Sequence, residues 1–189
     1  MAERVTLITG ASAGIGADLA RVFAKEGHRV ALTARRADRL CALADEIAAA
    51  GGRAPILIPC DLQAPDAGDK IAAALAEAGV EVEYLVNNAG FGLFGNAAEL
   101  APKGVRVTVL CPGPVLTEFQ VRAGFQPGFD STILNVSPSD VARQAYDGLM
   151  ANKRAVLPGL GIKIVPLLLR LFPRGFILWA VGRFQQRKR

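Results

Sequence analysis

Between Thr9 and Gly16 the sequence reads Thr-Gly-Ala-Ser-Ala-Gly-Ile-Gly, directly after a short apolar run that begins at Val5. Glycines at Gly10, Gly14 and Gly16 let backbone amides approach a bound group, and a helix starting at Gly14 aims its positive N-terminus at the same point. That combination suits an anion, above all a pyrophosphate, in the strand–loop–helix setting such a loop requires. A tight turn that needs glycine for positive φ explains a bare three-glycine spacing equally well. Each later apolar run is also followed by distinctive residues. They are Arg35-Arg36, Asp61-Leu62, Asn87-Asn88-Ala89-Gly90, and Pro112-Gly113 with Thr117 four residues on.

The elements that must carry these residues alternate in period. Val5–Thr9, Arg29–Ala34, Ala54–Cys60 and Glu83–Asn88 are apolar runs without polar alternation, as in strands buried on both faces. Ile15–Lys25, Asp38–Ala50 and Asp66–Ala78 lie between them, rich in Ala and Leu and long enough for helices, each followed by glycine. Strand alternating with helix predicts an α/β fold with a parallel, doubly wound sheet. A second block holds the β-branched run Val105–Cys111 and the helix start Ser137-Pro138-Ser139-Asp140. That helix is expected to run to about Asn152, with a last short strand at Ala155–Leu157.

Composition narrows the class. The 189 residues are 51% hydrophobic and 21% charged, which suits one packed domain and excludes a disordered or collagen-like chain. Charge is uneven: residues 1–150 hold 13 basic and 17 acidic side chains, residues 151–189 nine basic and none acidic. Three cysteines (Cys41, Cys60, Cys111) and the single His28 contain no CxxC pair, so a tetrahedral zinc site is set aside and no metal is expected. The first ten residues lack a signal peptide's apolar core and cleavage site, which points to a reduced, cytoplasmic protein.

Taken in order, TGASAGIG, Asp61-Leu62, Asn87-Asn88-Ala89-Gly90, and Pro112-Gly113 with Thr117 resemble the short-chain dehydrogenase/reductase family. The likeness extends to about Leu157 and implies a Rossmann-type dinucleotide-binding domain over 1–157. It implies that Ser12, Gly14, Ile15 and Gly16, within the loop that also holds Gly10 and Ala13, grip the pyrophosphate. Asp61 and Leu62 would face the adenine, Asn88, Ala89 and Gly90 the ribose, and Pro112, Gly113 and Thr117 the nicotinamide end. A ribose 2′-hydroxyl wants an acid about twenty residues past the glycines, a 2′-phosphate an arginine. The second strand ends Thr33-Ala34-Arg35-Arg36, so NADP(H) is the expected cofactor, with Arg35 the leading contact and Arg36 second.

The family's chemistry lies on a helix–strand–helix block after the fourth strand, with an Asn, a Ser and a Tyr-x-x-x-Lys pair one helical turn apart. Here Tyr84 is followed four residues on by Asn88 and Tyr146 by Met150, and only 16 residues separate Asn88 from Val105. Two helices and a strand need about 28. The sheet is therefore expected to be shortened by one strand and its flanking helices, with Val105–Cys111 moved in beside Glu83–Asn88. No catalytic residue is carried over. Ala97-Ala98-Glu99-Leu100 runs straight into Ala101-Pro102-Lys103-Gly104, where the shortening, an internal deletion or an omission in the record, falls near 97–104. Ser137 imitates the serine-bearing strand but stands as a helix cap. With the middle helices gone, apolar sheet should be exposed and the family's usual dimer lost.

Residues 158–189 mix apolar clusters with basic residues, interrupted by Pro166 and Pro173, and are too broken to span a membrane. They read as a lid over the cleft, the favoured option, or as a cationic helix in peripheral contact with an anionic membrane surface. Nucleic acid is not expected as a partner, since Phe184 is the only aromatic near the terminal basic cluster. His28 should be solvated, Trp179 should pack in the tail and the thiols should be buried. Two functions remain: an NADP(H)-dependent oxidoreductase acting on an unidentified carbonyl or alcohol, and a non-catalytic dinucleotide-binding remnant. The missing Tyr-x-x-x-Lys favours the second for these residues. An intact-mass spectrum of the source protein decides the origin of the join: a mass matching 189 residues fits a true deletion, a larger one excludes it.

Overall fold

The computed structural model describes residues 2–89, 107–112, 115 and 136–159. The elements in chain order are β1 (Glu3–Thr9), α1 (Gly14–Lys25), β2 (Arg29–Ala34), α2 (Ala37–Ala49), β3 (Ile56–Pro59), α3 (Ala67–Glu77), β4 (Val80–Val86), β5 (Val109–Leu110), α4 (Pro138–Met150) and β6 (Ala155–Val156). Among the described residues the first four strands form one parallel sheet in the order β3-β2-β1-β4. Leu7 of β1 stands beside Ala31 of β2 and Leu85 of β4, so β1 is the buried centre.

Helices cover both faces, as a doubly wound sheet requires. On one face Ile8, Val30 and Leu32 pack with Leu19 and Phe23 of α1, Leu40, Leu43 and Ile47 of α2, and Ala142 and Tyr146 of α4. On the other, Val5, Leu7, Ala31, Ile58 and Val80 meet Ile71 and Leu75 of α3. This second core thins toward β4, where Val82 is 42% and Leu85 55% exposed. Exposed apolar sheet was anticipated there from the shortened middle.

β4 starts three residues earlier than its sequence pattern suggested and stops at Val86; a register shift opposite Val5 and Thr6 leaves Glu83 outside the pairing, where its carboxylate lies 3.4 Å from Arg4. The larger difference is β5. Among the described residues it does not pair with β4: Val109 and Leu110 pair in parallel with β6 in a separate two-stranded sheet. The thirteen-residue helix α4 gives that connection the crossover length a parallel pair needs. Its start is as read from sequence, with the Ser137 hydroxyl accepting from the Asp140 N–H at 3.1 Å and proline in the first turn.

The seam between α1, β4 and α4 is aromatic, and it corrects the expectation that His28 is solvated. The turn that ends α1 places the half-buried His28 ring between Phe23, Tyr84 and Tyr146, with centroids 5.3, 5.4 and 5.9 Å away. Its Nε2 lies 3.2 Å from the Tyr146 hydroxyl. Burial, then the nearby Glu26 carboxylate, pushes the Tyr146 phenol above its ordinary pKa. Arg143 closes the seam outside, paired with Glu26 and, at 3.3 Å, with Asp147. Of the thiols, Cys60 is buried as expected, whereas Cys41 and Cys111 are exposed.

His28→Ala should lower unfolding free energy by about 1–2 kcal/mol, since it removes ring packing and a hydrogen bond. His28→Phe should lose less than half of that. Urea unfolding of both variants checks this, and two unchanged midpoints would contradict a seam that holds α4 in place.

Candidate functional site

The chain runs β1 to β2 to β3 in one direction, then returns to place β4 on the far side of β1. That reversal opens a crevice at the C-terminal ends of β1 and β4, where open α/β sheets hold ligands. The Gly10–Ala13 loop and the start of α1 fill one side of it. Ala13 caps α1 in extended conformation without a side-chain hydrogen bond, and the first turn carries no acidic residue. The first N–H groups of α1 thus have no side-chain cap, and the positive end of the helix dipole is not offset. α4, capped by Ser137, is the contrasting case.

Thr9, the last residue of β1, locks the crevice from below. Its hydroxyl donates to the Val86 carbonyl oxygen at 3.3 Å and accepts from the Asn88 and Ala89 N–H groups at 3.0 and 2.9 Å. One donor and two acceptors are all that a hydroxyl offers. The Asn88 side chain donates to the carbonyl oxygens of Thr9 at 3.1 Å and Gly10 at 3.3 Å. Asn88, read from sequence as lining the ribose, therefore spends its amide on the glycine loop. This close approach explains Gly16: a Cβ there would press into Asn88 Nδ2 and lie 2.5 Å from the Gly10 carbonyl oxygen. On the β2 side the buried Ala11 donates its N–H to the Thr33 carbonyl at 3.3 Å.

The rim carries the charged residues. Arg35 is exposed, whereas Arg36 is half-buried and stands at the N-cap of α2. Arg36, ranked second from sequence, is the one that reaches the loop: its Nη2 donates to Ser12 Oγ at 3.2 Å and lies 3.5 Å from the Ser12 carbonyl oxygen. Past β3, Cys60 is tied to Ala34 by a 3.1 Å backbone bond. Asp61 follows, exposed, with its carboxylate accepting from the Gln63 N–H at 3.1 Å, and Leu62 is 38% exposed. Pro112 is exposed just beyond β5. Gly90, Gly113 and Thr117 lie outside the described residues, as do residues 160–189.

The structure thus brings Gly10 to Gly16, Arg36, Asn88 and Ala89 around one crevice. Asp61 and Leu62 stand at the same end of the sheet. Thr9 was not singled out from sequence as a site residue. The available signal was a hydroxyl on the last residue of a strand, directly ahead of a glycine that must turn away. No group of three metal-ligating side chains gathers among the described residues.

The sequence profile described as short chain dehydrogenase matches residues 4–98. The chain is 47% identical over 87 residues to the serine 3-dehydrogenase of Agrobacterium fabrum, covering 46% of this chain and 33% of that protein. It is 42% identical over 92 residues to the L-rhamnose 1-dehydrogenase (NAD(P)(+)) of Azotobacter vinelandii, covering 47% and 36%. The matched segment thus spans about a third of each of these curated relatives. In structure the chain is similar to a short-chain dehydrogenase from Sphingobium yanoikuyae in complex with NADPH, with a TM-score of 0.71 and 23% identity over 93% of this chain and 95% of that one. A metagenomic short-chain oxidoreductase in complex with NADP gives a TM-score of 0.61 and 25% identity over 84% and 99%.

Thr9→Val should cost about 2–3 kcal/mol of stability, because the Asn88 and Ala89 N–H groups and the Val86 carbonyl lose their common partner. Thr9→Ser should recover most of it. Paired urea unfolding curves check this; equal losses in the two variants would assign the effect to packing instead.

Proposed function

The chain belongs to the short-chain dehydrogenase family, and we propose that its described residues form an NADP(H)-binding unit that lacks the family's carbonyl–alcohol proton chemistry. The carrying observation is the uncapped start of α1 beside a fixed guanidinium. A pyrophosphate needs backbone N–H groups at a positive helix end, and a 2′-phosphate needs a planar cation one subsite away. The loop and Arg36 meet both demands, so the residues present fit the dinucleotide.

We assign Ser12 to Gly16 to the pyrophosphate and Arg36, with Arg35 beside it, to the 2′-phosphate. Asp61 and Leu62 take the adenine side, and Pro112 the nicotinamide end. Asn88 and Thr9 set the loop's shape from behind. When bound, the dinucleotide supplies or accepts a hydride. What this chain contributes is binding and orientation. The family's proton donor is a tyrosine, and both tyrosines of this chain, Tyr84 and Tyr146, belong to the His28 seam. We assign residues 1–157 to the dinucleotide-binding unit and residues 158–189 to a basic, apolar lid over its cleft or a membrane-surface segment.

Titration of the 189-residue protein with NADPH, and with NADH as competitor, tests the reading by cofactor fluorescence. NADPH should bind more tightly, by about tenfold or more for a charge-assisted bidentate contact. Arg36→Ala should remove most of that preference and Arg35→Ala less. NADPH oxidation with a panel of small aldehydes and ketones should stay at the level without substrate. Turnover comparable to an ordinary enzyme's, near 10 per second, would restore the oxidoreductase reading.

A further inference from the structure

His28 stands just before β2, at the opposite end of that strand from the crevice. A continuous run of contacts nonetheless leads from it to the segment assigned to the nicotinamide end. Its Nε2 lies 3.2 Å from the Tyr146 hydroxyl, and Phe23 of α1 meets the Tyr146 ring with centroids 4.9 Å apart. Two residues further along α4, Gly148 stands so close to β6 that a Cβ there would lie 2.1 Å from Val156 Cγ2. β6 in turn holds β5: the Val109 N–H donates to the Arg154 carbonyl at 3.0 Å, and the Cys111 N–H to the Val156 carbonyl at 2.9 Å. Pro112 follows Cys111 directly. We infer that His28 is a positioning residue for the nicotinamide half of the dinucleotide: acting through Tyr146, α4 and β6, it holds the end of β5 in place. The inference rests on the dinucleotide reading above and deepens it.

The two halves of the cofactor would meet parts of the protein that are anchored differently. The glycine loop is fixed by Thr9, the Asn88 amide and the Thr33 carbonyl, all within the four-stranded sheet. β5 and β6 pair over two residues each. A pairing that short does not support itself, since even an isolated two-stranded hairpin is marginal in water. Its support is α4, which buries Val141, Ala142 and Tyr146. The position of Pro112 is thereby delegated to the aromatic seam. By linkage, whatever the seam does for binding of the nicotinamide half, that binding does for the seam.

Backbone amide exchange in the full chain tests this with NADPH and with 2′-phospho-ADP-ribose, which has the same phosphates and no nicotinamide. At saturation both should slow exchange in the glycine loop and the first turn of α1. NADPH, and not the shorter ligand, should also slow it in α4 and β6, by about tenfold or more, because opening the seam then costs the nicotinamide contacts.

His28→Ala should speed exchange in α4 and β6 of the free protein and leave α3 unchanged. It should also lower the ratio of NADPH affinity to 2′-phospho-ADP-ribose affinity about fivefold, and His28→Phe should restore most of that ratio. Equal protection of α4 by the two ligands, protection by neither, or equal weakening of both in His28→Ala overturns the inference and leaves the dinucleotide reading standing. A parent protein that binds neither ligand overturns both.

Discussion

A single hydroxyl joins the two strands on which the crevice depends. β1 and β4 are hydrogen-bonded along their length, but at Thr9 and Val86 the ladder ends and the chains must diverge in opposite directions. A switch point of this kind exposes backbone groups at the moment the sheet stops satisfying them. Thr9 Oγ1 takes up three of them, and the Asn88 amide takes up two carbonyls of the opposing loop. The two turns thereby fix each other. Gly16 is then required for the packing of that joint, because the joint leaves no room for a side chain on the first turn of α1.

The rest of the molecule is unequally built around this joint. On the α1 side, three helices cover the sheet, and α4 is drawn from far along the chain to complete the layer through Phe23, His28 and Tyr146. On the opposite side, among the described residues, α3 covers β1, β2 and β3, and Val82 and Leu85 of β4 lie open. The loop that starts α1 therefore rests on the better-packed face. Its geometry draws on β1, β2, α1 and the β4 turn.

Legibility in the sequence followed how local the determining physics was. The four helices were readable to within two residues because their limits are set by neighbours in the chain: glycine past each end, and Ser137-Pro138 at a start. β2 was readable for the same reason, bounded by the turn at Gly27 and the arginines. β5 was not. A β-branched run from Val105 to Cys111 states a preference for strand but not a partner, and among the described residues β6 supplies the partner. His28 was misjudged because its surroundings are assembled from residues 56 and 118 positions away, on β4 and α4. The contact of Arg36 with Ser12 was equally hidden, because it joins two loops 24 residues apart.

Recognition and chemistry draw on different kinds of group in such a fold. Holding a pyrophosphate needs backbone N–H groups and a helix end, which any sequence supplies once strand, turn and helix are in place. Choosing between two ribose forms adds one cation and something to orient it. Moving a proton to a carbonyl needs specific side chains held one turn apart on a helix that faces the same crevice. Under the proposed reading, residues 9–36 and 86–89 meet the first two requirements. The third calls for the family's helix–strand–helix block, which is longer than the 16 residues between Asn88 and Val105. A chain that met the first two alone would bind without turning over, and a bound dinucleotide would stabilise the loop, the joint and the strands beneath them by mass action.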